Sequence, residues 1–192
     1  ETSGGEVGNN LFARGIPSAG AYEFVQVQED GLPVFEDGAL QFANADNFFR
    51  VDNSVSRLEA LRGGSGSIFA TNSPGGLINF ITREGTNDFR GTAKVETSTY
   101  GLMRTDVNVG GALVQDKLFF NVGGFYRTDN GVRNTGFTAN KGGQIKGNIT
   151  YKFDDNDYLR VNFKHLDDRN TFYLPIPLKS NNGKVEGIPG FN

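Results

Sequence analysis

A cluster of glycines in the first half of the chain is the first place where residue types and spacing could bind a ligand. Gly63, Gly64 and Gly66 lie close together, and Gly75 and Gly76 follow. Glycine-rich turns can cradle phosphate, but such a turn follows a strand and opens a helix. The G-x-x-x-x-G-K-[ST] pattern is missing, and a helix is predicted before the turn. The glycines are therefore interpreted as chain reversals that need positive φ or close backbone approach.

Catalysis and metal binding need sets of side chains that the sequence does not group together. His165 is the only histidine, and the absence of cysteine excludes a thiolate zinc site. No nucleophile, base and orienting acid occur as a set, and no metal-ligand spacing is found. His165 follows the face of Phe163 and is predicted to be a rim or interface residue. We therefore expect neither an enzyme nor a bound cofactor or metal.

The composition favours many short strands and turns. The 192 residues are only 36% apolar, yet 12% are aromatic and 27 are glycine. Nineteen basic and 22 acidic residues give a net charge of −3, without the basic runs of a nucleic-acid-binding protein. No run approaches the ~20 apolar residues that a membrane-spanning helix needs.

From Phe89 onward, the sequence alternates with the period of two that is typical of strands with unlike faces. The clearest case is 144–153, where polar residues from Gln144 to Lys152 alternate with apolar or small ones from Ile145 to Phe153. Similar alternation predicts strands at 93–99, 106–113, 117–127 and 159–163, although Phe119 and Phe125 interrupt the polar face of the third.

The connections between these strands have unequal lengths at the two ends. Gln115-Asp116 and 154–157 are short polar turns at one end, whereas 129–143 and the tail after Asp167 are predicted to be long loops at the other. This layout is typical of an outer-membrane barrel. A soluble antiparallel sandwich gives the same alternation, and on pattern alone the two are equally supported. About five strands cannot close a barrel, which needs at least ~8, so the barrel interpretation requires a longer parent chain.

Residues 1–88 follow a different pattern and are expected to form a small mixed α/β domain. Glu23 to Gln28 and Leu77 to Thr82 are strand-like, and Asn53 to Leu61 is the best helix candidate. Asn53 or Ser54 could cap that helix, with Val55, Leu58 and Leu61 on one side.

One motif in this half resembles a known family. The segment from Ser56 to Arg83 reads SRLEALRGGSGSIFATNSPGGLINFITR and is similar to the plug signature of TonB-dependent receptors, roughly V-x-R-V-E-V-L-R-G-P-x-S-x-L-Y-G-x-x-A-x-G-G-V-I-N-I-x-T-K. Arg14-Gly15-Ile16 and Gln28 to Pro33 also resemble family elements. Gly64 stands at the usual proline, and Phe69-Ala70 at the usual Tyr-Gly.

The resemblance implies a fold and a domain organisation. The fold would be a mixed α/β plug domain followed by antiparallel transmembrane β-barrel strands, as a fragment of a barrel of about 22 strands. Residues 1–88 would be the plug, without its N-terminal part, and 89–192 the first strands with their loops.

The implied function is TonB-dependent import across the bacterial outer membrane, most often of a ferric siderophore. Oligosaccharide or cobalamin import and a passive porin-like or adhesive barrel are the alternatives. TonB would act through a plug segment that precedes this chain. The residues expected to contact substrate are Phe35, Gln41, Phe42, Phe69 and Asn72, and those expected to hold the plug against the barrel are Arg14, Glu59 and Arg62.

Charged and amide residues on the polar faces of the strands are expected to line the lumen. Their basic excess favours an anionic cargo. They are Lys94, Glu96, Asp106, Asn108, Arg127, Lys146, Lys152, Arg160 and Lys164.

Overall fold

The computed structural model shows two compact units, Glu1–Glu84 and Gly85–Asn192. It describes residues 2–4, 7–9, 24–34, 45–63, 66–70, 73–131, 137–171, 178–181 and 184–188. Among these, no helix is long and apolar enough to cross a membrane. Two short antiparallel hairpins form separate two-stranded sheets. They are β1 (Thr2–Gly4) with β2 (Val7–Asn9), and β12 (Leu178–Asn181) with β13 (Lys184–Gly187).

The first unit contains a four-stranded mixed sheet in the order β4-β3-β6-β5. Its strands are β3 (Val25–Glu29), β4 (Leu32–Pro33), β5 (Val55–Arg62) and β6 (Gly76–Thr82). The central strands β3 and β6 are parallel, and Val25, Val27 and Leu77 on them are buried. A 3-10 turn at Ala45–Asn47 precedes β5. The predicted strands of this half are thereby confirmed.

An aspartate turn links β3 to β4 and ties it to the end of β6. Asp30 and Gly31 both have positive φ, of 50° and 82°. The Asp30 carboxylate accepts hydrogen bonds from the Thr82 backbone N–H at 2.8 Å and from its hydroxyl at 2.7 Å. Aspartate adopts the left-handed region more readily than most residues, and here its carboxylate is held by the long-range bonds to Thr82.

The helix predicted over Asn53 to Leu61 is wrong, because these residues form β5 and pair antiparallel with β6. Three apolar residues at spacings of three do not distinguish a short helix from a strand, and pairing with β6 decides the conformation. A helix of four residues, α1 (Gly66–Phe69), follows instead. Helix is therefore almost absent from the described residues of the half that was expected to be mixed α/β.

This correction also removes one reason for excluding phosphate at the glycine cluster. Gly63 directly follows a strand, β5, and Gly66 begins a helix, α1. However, α1 is a single turn, and the lysine and hydroxyl residues of the phosphate-binding pattern are still missing from the sequence.

The second unit contains a five-stranded antiparallel sheet in the order β11-β10-β9-β8-β7. Each strand pairs with its neighbour in sequence, so the sheet is a simple meander. The strands are β7 (Arg90–Thr97), β8 (Met103–Val114), β9 (Leu118–Asp129), β10 (Asn140–Lys152) and β11 (Tyr158–Asn170).

The strands confirm the predicted alternating segments, but β8 to β11 extend further at the end opposite the short turns, whereas β7 begins three residues earlier and ends two residues earlier than predicted. The loop predicted over 129–143 is shorter, because β9 continues to Asp129 and β10 already begins at Asn140. Likewise, β11 continues to Asn170, beyond the predicted end of that strand.

The short turns occur where they were predicted, at residues 115–117 and 153–157. In the second turn, the Asp154 carboxylate accepts hydrogen bonds from the backbone N–H groups of Asn156 and Asp157, both at 2.8 Å. These two donors, Asn156 first, lower the pKa of the Asp154 carboxyl below its ordinary value.

Gly124 is a position where close strand packing requires glycine. A Cβ at Gly124 would overlap the Gln144 carbonyl oxygen and lie 3.1 Å from the Ile145 Cα. We expect Gly124→Ala to lower the free energy of unfolding by about 1–3 kcal/mol, since backbone must move to admit the methyl group. Gly91→Ala is the control, because its Cβ would meet only the Asn108 carbonyl at 3.6 Å. Urea denaturation of both variants checks this; equal effects would contradict it.

Candidate functional site

The candidate site is the face of the five-stranded sheet that carries polar side chains, here called the polar face. Its central strands β8, β9 and β10 bury charged and amide residues at alternate positions. The buried polar residues are Arg104, Asp106, Asn108, Asn121, Arg127, Asp129, Gln144, Lys146, Asn148 and Thr150. This set confirms that the polar residues of these strands share one face.

The opposite face, here called the apolar face, is exposed. Asn148 is 1% exposed, whereas its neighbour Ile149 is 46% exposed. Other exposed apolar residues on this face are Val95, Met103, Val107, Tyr126, Ile145, Tyr151, Leu159, Val161 and Phe163. A soluble sandwich buries its apolar face and exposes its polar one, so the burial seen here is inverted. Alternation alone fits both a soluble sandwich and an outer-membrane barrel, and the observed burial favours the barrel.

Charges on the polar face lie in ion pairs. The Arg104 guanidinium donates to both oxygens of Asp106, at 2.8 and 3.0 Å. The Arg127 guanidinium donates to both oxygens of Asp168, at 3.2 and 2.8 Å, and to the Asn170 side chain at 2.8 Å. The side chains of Arg127 and Asp168 are 4% and 0% exposed. Buried charges are costly unless paired in this way.

Two aromatic rings on the polar face lie beneath cations. Phe119 and Phe125 interrupt the polar pattern in the sequence, and both are buried on this face. The Arg104 guanidinium carbon lies 4.1 Å from the centre of the Phe125 ring, and the Lys152 ammonium 5.3 Å from that of Phe119. Ring faces attract cations electrostatically. The phenylalanines are therefore compatible with a polar, cationic surface.

A row of asparagines crosses the middle of the polar face. Asn148 pairs in register with Asn121 on one side and Asn162 on the other. Asn108 and Asn121 exchange two side-chain hydrogen bonds, of 2.8 and 3.2 Å. Amides donate and accept without carrying charge, so the row presents neutral hydrogen-bonding groups on the short-turn side of the ion pairs.

Some of the basic residues expected to line the lumen are paired with carboxylates in the structure. Their uncompensated positive charge is therefore smaller than the sequence predicts. The Lys94 ammonium is 2.7 Å from the Glu96 carboxylate, and Arg127 is paired with Asp168. Sequence reasoning missed Asp168 because it ended β11 too early, and it missed Arg104 because it began β8 two residues after it. If the period of two is extended to residues 104 and 168, it places both Arg104 and Asp168 on the polar face.

Most of the residues expected to contact substrate lie outside the described residues. These are Phe35, Gln41, Phe42 and Asn72, and Arg14 of the expected plug–barrel contacts is also outside. Their placement therefore stays a prediction.

The remaining candidates lie on the first unit and are exposed. Phe69 ends α1 with 65% of its surface exposed, and its carbonyl accepts a hydrogen bond from the Gln28 side chain at 3.4 Å. Glu59 lies in β5 and pairs at 2.8 Å with Arg57 of the same strand. Arg62 ends β5 and is exposed. The structure does not bring these three side chains into one site.

His165 lies on the exposed apolar face of β11, opposite Ile145, and follows the face of Phe163 as expected. Within the described part of the chain, no three His, Cys, Asp or Glu side chains are grouped so that they could hold a metal ion.

A meander whose polar side is buried and whose apolar side is exposed is the arrangement of an outer-membrane β-barrel protein. By sequence and by fold, the chain is related more particularly to TonB-dependent outer-membrane receptors. No protein-family model matches the chain.

Three relatives illustrate this relationship. The ferric-pyoverdine receptor PbuA of Pseudomonas sp. strain M114 is 26% identical over 106 residues, which are 55% of the chain and 12% of that receptor. The pyoverdine outer membrane receptor FpvA from Pseudomonas aeruginosa, bound to pyoverdine, matches with a TM-score of 0.60 at 20% identity, over 72% of the chain and 20% of that structure. The ferric-catecholate import receptor Fiu from E. coli matches with a TM-score of 0.61 at 18% identity, over 79% and 21%.

The matched regions are small parts of these relatives, about an eighth of PbuA and about a fifth of each solved receptor. These relatives are receptors rather than enzymes. The likeness to the solved receptors establishes the fold.

The buried pair Arg127–Asp168 provides a test of how the polar face is held. We expect Asp168→Asn or Arg127→Gln to lower the free energy of unfolding by about 3–5 kcal/mol, because each leaves a buried charge without its partner. The double variant should lose less than the sum. Urea denaturation of both singles and the double measures this coupling.

The control is the neighbouring exposed pair Asp167–Arg169, with its charged atoms 3.7 Å apart. Exposed pairs contribute about 0–1 kcal/mol. Additive losses for Arg127 and Asp168, or equal losses for the two pairs, would show that the buried pair does not stabilise the sheet.

Proposed function

We propose that the chain is part of a receptor that imports a ferric siderophore across the bacterial outer membrane with energy from TonB. The observation that carries this proposal is the inverted burial of the strands that follow a plug-like motif. An apolar exposed face suits a lipid environment, and a polar buried face suits the wall of a transport lumen. PbuA is named as a ferric-pyoverdine receptor and Fiu as a ferric-catecholate import receptor, and both names support an iron chelate as the cargo.

We assign residues 1–88 to the plug and 89–192 to the first strands of a barrel of about 22 strands, as in plugged outer-membrane transporters. The division of the chain between Glu84 and Gly85 supports this assignment. The strand lengths do as well, because β8 to β11 have 12 or 13 residues and a spanning strand needs about 9–11.

The polar face suits a chelate that is rich in oxygen atoms. Arginine side chains present several donors, and the asparagine row offers both donors and acceptors. At the plug, aromatic side chains suit the flat faces of a chelate and amides fix its orientation. We therefore retain Phe35, Gln41, Phe42, Phe69 and Asn72 as proposed substrate contacts. The exposure of Phe69 agrees with this role.

We also retain Arg14, Glu59 and Arg62 as proposed contacts between plug and barrel. Transport then requires the plug to rearrange while the wall stays intact. The Arg104–Asp106 and Arg127–Asp168 pairs lie within the wall and can hold it during such a movement. TonB would supply the work by pulling on the plug.

Oligosaccharide import by the same mechanism is a second candidate, and the asparagine row favours it. Neutral amides with nearby aromatic rings suit sugar hydroxyls and sugar faces, and two of the row, Asn121 and Asn148, are buried on the polar face with Phe119.

Uptake by cells that express the intact receptor tests the import function. We expect radioactive iron bound to pyoverdine-type or catecholate siderophores to accumulate in cells with TonB and to stay near background in cells without it. Uptake that persists without TonB would indicate a passive channel. Binding of oligosaccharides with no binding of any iron chelate would support the second candidate instead.

A pair of adjacent substitutions tests the orientation of the sheet. Val161 and Asn162 lie on opposite faces of β11. We expect Val161→Lys to cost about 2–4 kcal/mol near the bilayer midplane, because it places a charge in lipid, and Asn162→Lys to cost far less. The fraction of intact receptor that migrates as a compact species on an unheated gel measures assembly. Equal fractions for the two variants would contradict the lipid-facing assignment.

A further inference from the structure

A cavity of about 440 Å³ opens on the apolar face, at the end of the sheet opposite the short turns. It crosses strands β9, β10 and β11, and we call it the cationic notch. Gly143 lies at its floor, and the residues around it include Tyr126, Lys141, Ile145, His165 and Arg169.

Strand register places these residues in successive rows. Gly143 pairs with Tyr126 on β9 and with Asp167 on β11. One row towards the strand ends, Lys141 pairs with Arg169, and one row towards the middle, Ile145 pairs with His165. All of these positions have the parity of the apolar face. The notch therefore lies where that face changes from apolar to charged.

Glycine keeps the floor of the notch open. A Cβ at Gly143 would overlap the Phe125 carbonyl oxygen and lie 3.0 Å from the Tyr126 Cα. Gly143 carries no side chain, so the sheet has a recess here between the exposed side chains of Tyr126 and Ile145, and the backbone overlap prevents a larger residue from replacing it.

The charge of the notch is positive overall. Lys141 and Arg169 each carry one positive charge, and Asp167 carries one negative charge. The charged atoms of Arg169 and Asp167 are 3.7 Å apart and both side chains are mostly exposed, so this contact is weak and leaves the arginine able to bind another anion. His165 adds a ring that can donate a hydrogen bond.

From the notch towards the short turns, the same face is apolar. Ile145, Ile149, Tyr151, Leu159, Val161 and Phe163 are all exposed there. A ligand that satisfies both regions must carry negative charge at one end and extended apolar chains at the other. Membrane lipids with phosphate headgroups have this chemistry, and basic residues beside a membrane attract them.

We propose that the cationic notch binds the phosphate-bearing headgroup of an outer-leaflet membrane lipid, whose acyl chains lie along the apolar face. This inference rests on the proposed function, which puts the apolar face in the outer membrane, and on the general layout of such barrels, whose short turns face the periplasm and whose longer loops face outward. Lys141 and Arg169 pair with the phosphate, His165 donates to it, and Tyr126 and Ile145 contact the first part of the acyl chains. Free phosphate lacks those chains and binds more weakly.

Native mass spectrometry of the detergent-solubilised intact receptor tests the proposal with lipid A that carries two phosphates. The comparison probe is the same lipid without phosphates. We expect the phosphorylated lipid to bind more tightly and Lys141→Gln with Arg169→Gln to weaken it about 30-fold, at about 1 kcal/mol per basic residue. Inorganic phosphate at the lipid's concentration should not displace it.

The control is Lys117→Gln with Arg90→Gln, at the end of the sheet with the short turns. It also removes one lysine and one arginine, and Arg90, like Arg169, forms an exposed ion pair, with Asp88 at 3.0 Å. This control should leave lipid binding unchanged. Equal losses in the two double variants, no preference for the phosphorylated lipid, or displacement by equimolar inorganic phosphate would each overturn the proposal.

Siderophore uptake is measured on the same variants. Normal uptake together with no lipid preference would reject the lipid site and leave the import function standing. Absence of uptake by the wild type, with selective lipid binding, would reject the import function and support the site.

Discussion

The second unit depends on one constraint, which is that its strands bury charge on one face and expose hydrocarbon on the other. Burying charge is unfavourable unless each charge has a partner, and the Arg127–Asp168 and Arg104–Asp106 pairs provide such partners. Exposing Ile149 and Val161 is unfavourable in water and favourable in lipid. A lipid environment outside and a hydrated interior inside satisfy both faces at once, which links the burial pattern directly to the outer membrane.

The same constraint explains a composition that looks unlike a membrane protein. Mean hydropathy is −0.41, because every second residue of a spanning strand is polar and the connections add further polar residues. Strand pairing satisfies the backbone groups, so no continuous apolar run is needed. Phe119 and Phe125 fit the same scheme, since their rings support cations on the polar face.

Much of the second unit could be predicted from the sequence, because a period of two and polar turns depend on local residues. The buried face could not, because alternation is identical whether the polar residues point inward or outward. The helix predicted at 53–61 failed for a related reason, since pairing of Leu58 and Leu61 with β6 is a long-range contact. Of the candidate site, the positions of the polar-face residues were predictable, whereas the pairing of Arg127 with Asp168 depends on how far β11 extends.

The ends of β10 and β11 were missed for a physical reason, and the same change of residue type forms the cationic notch. Within the apolar belt, outward positions such as Ile149 and Val161 are hydrophobic and alternate with polar ones. Beyond it, outward positions become Lys141, Asp167 and Arg169, so both faces are polar and the alternation disappears while the strand continues. A strand longer than the hydrocarbon layer must end in this way, because its outward residues there meet headgroups and water rather than acyl chains. The loss of the pattern therefore marks the edge of the hydrocarbon layer rather than the end of the strand.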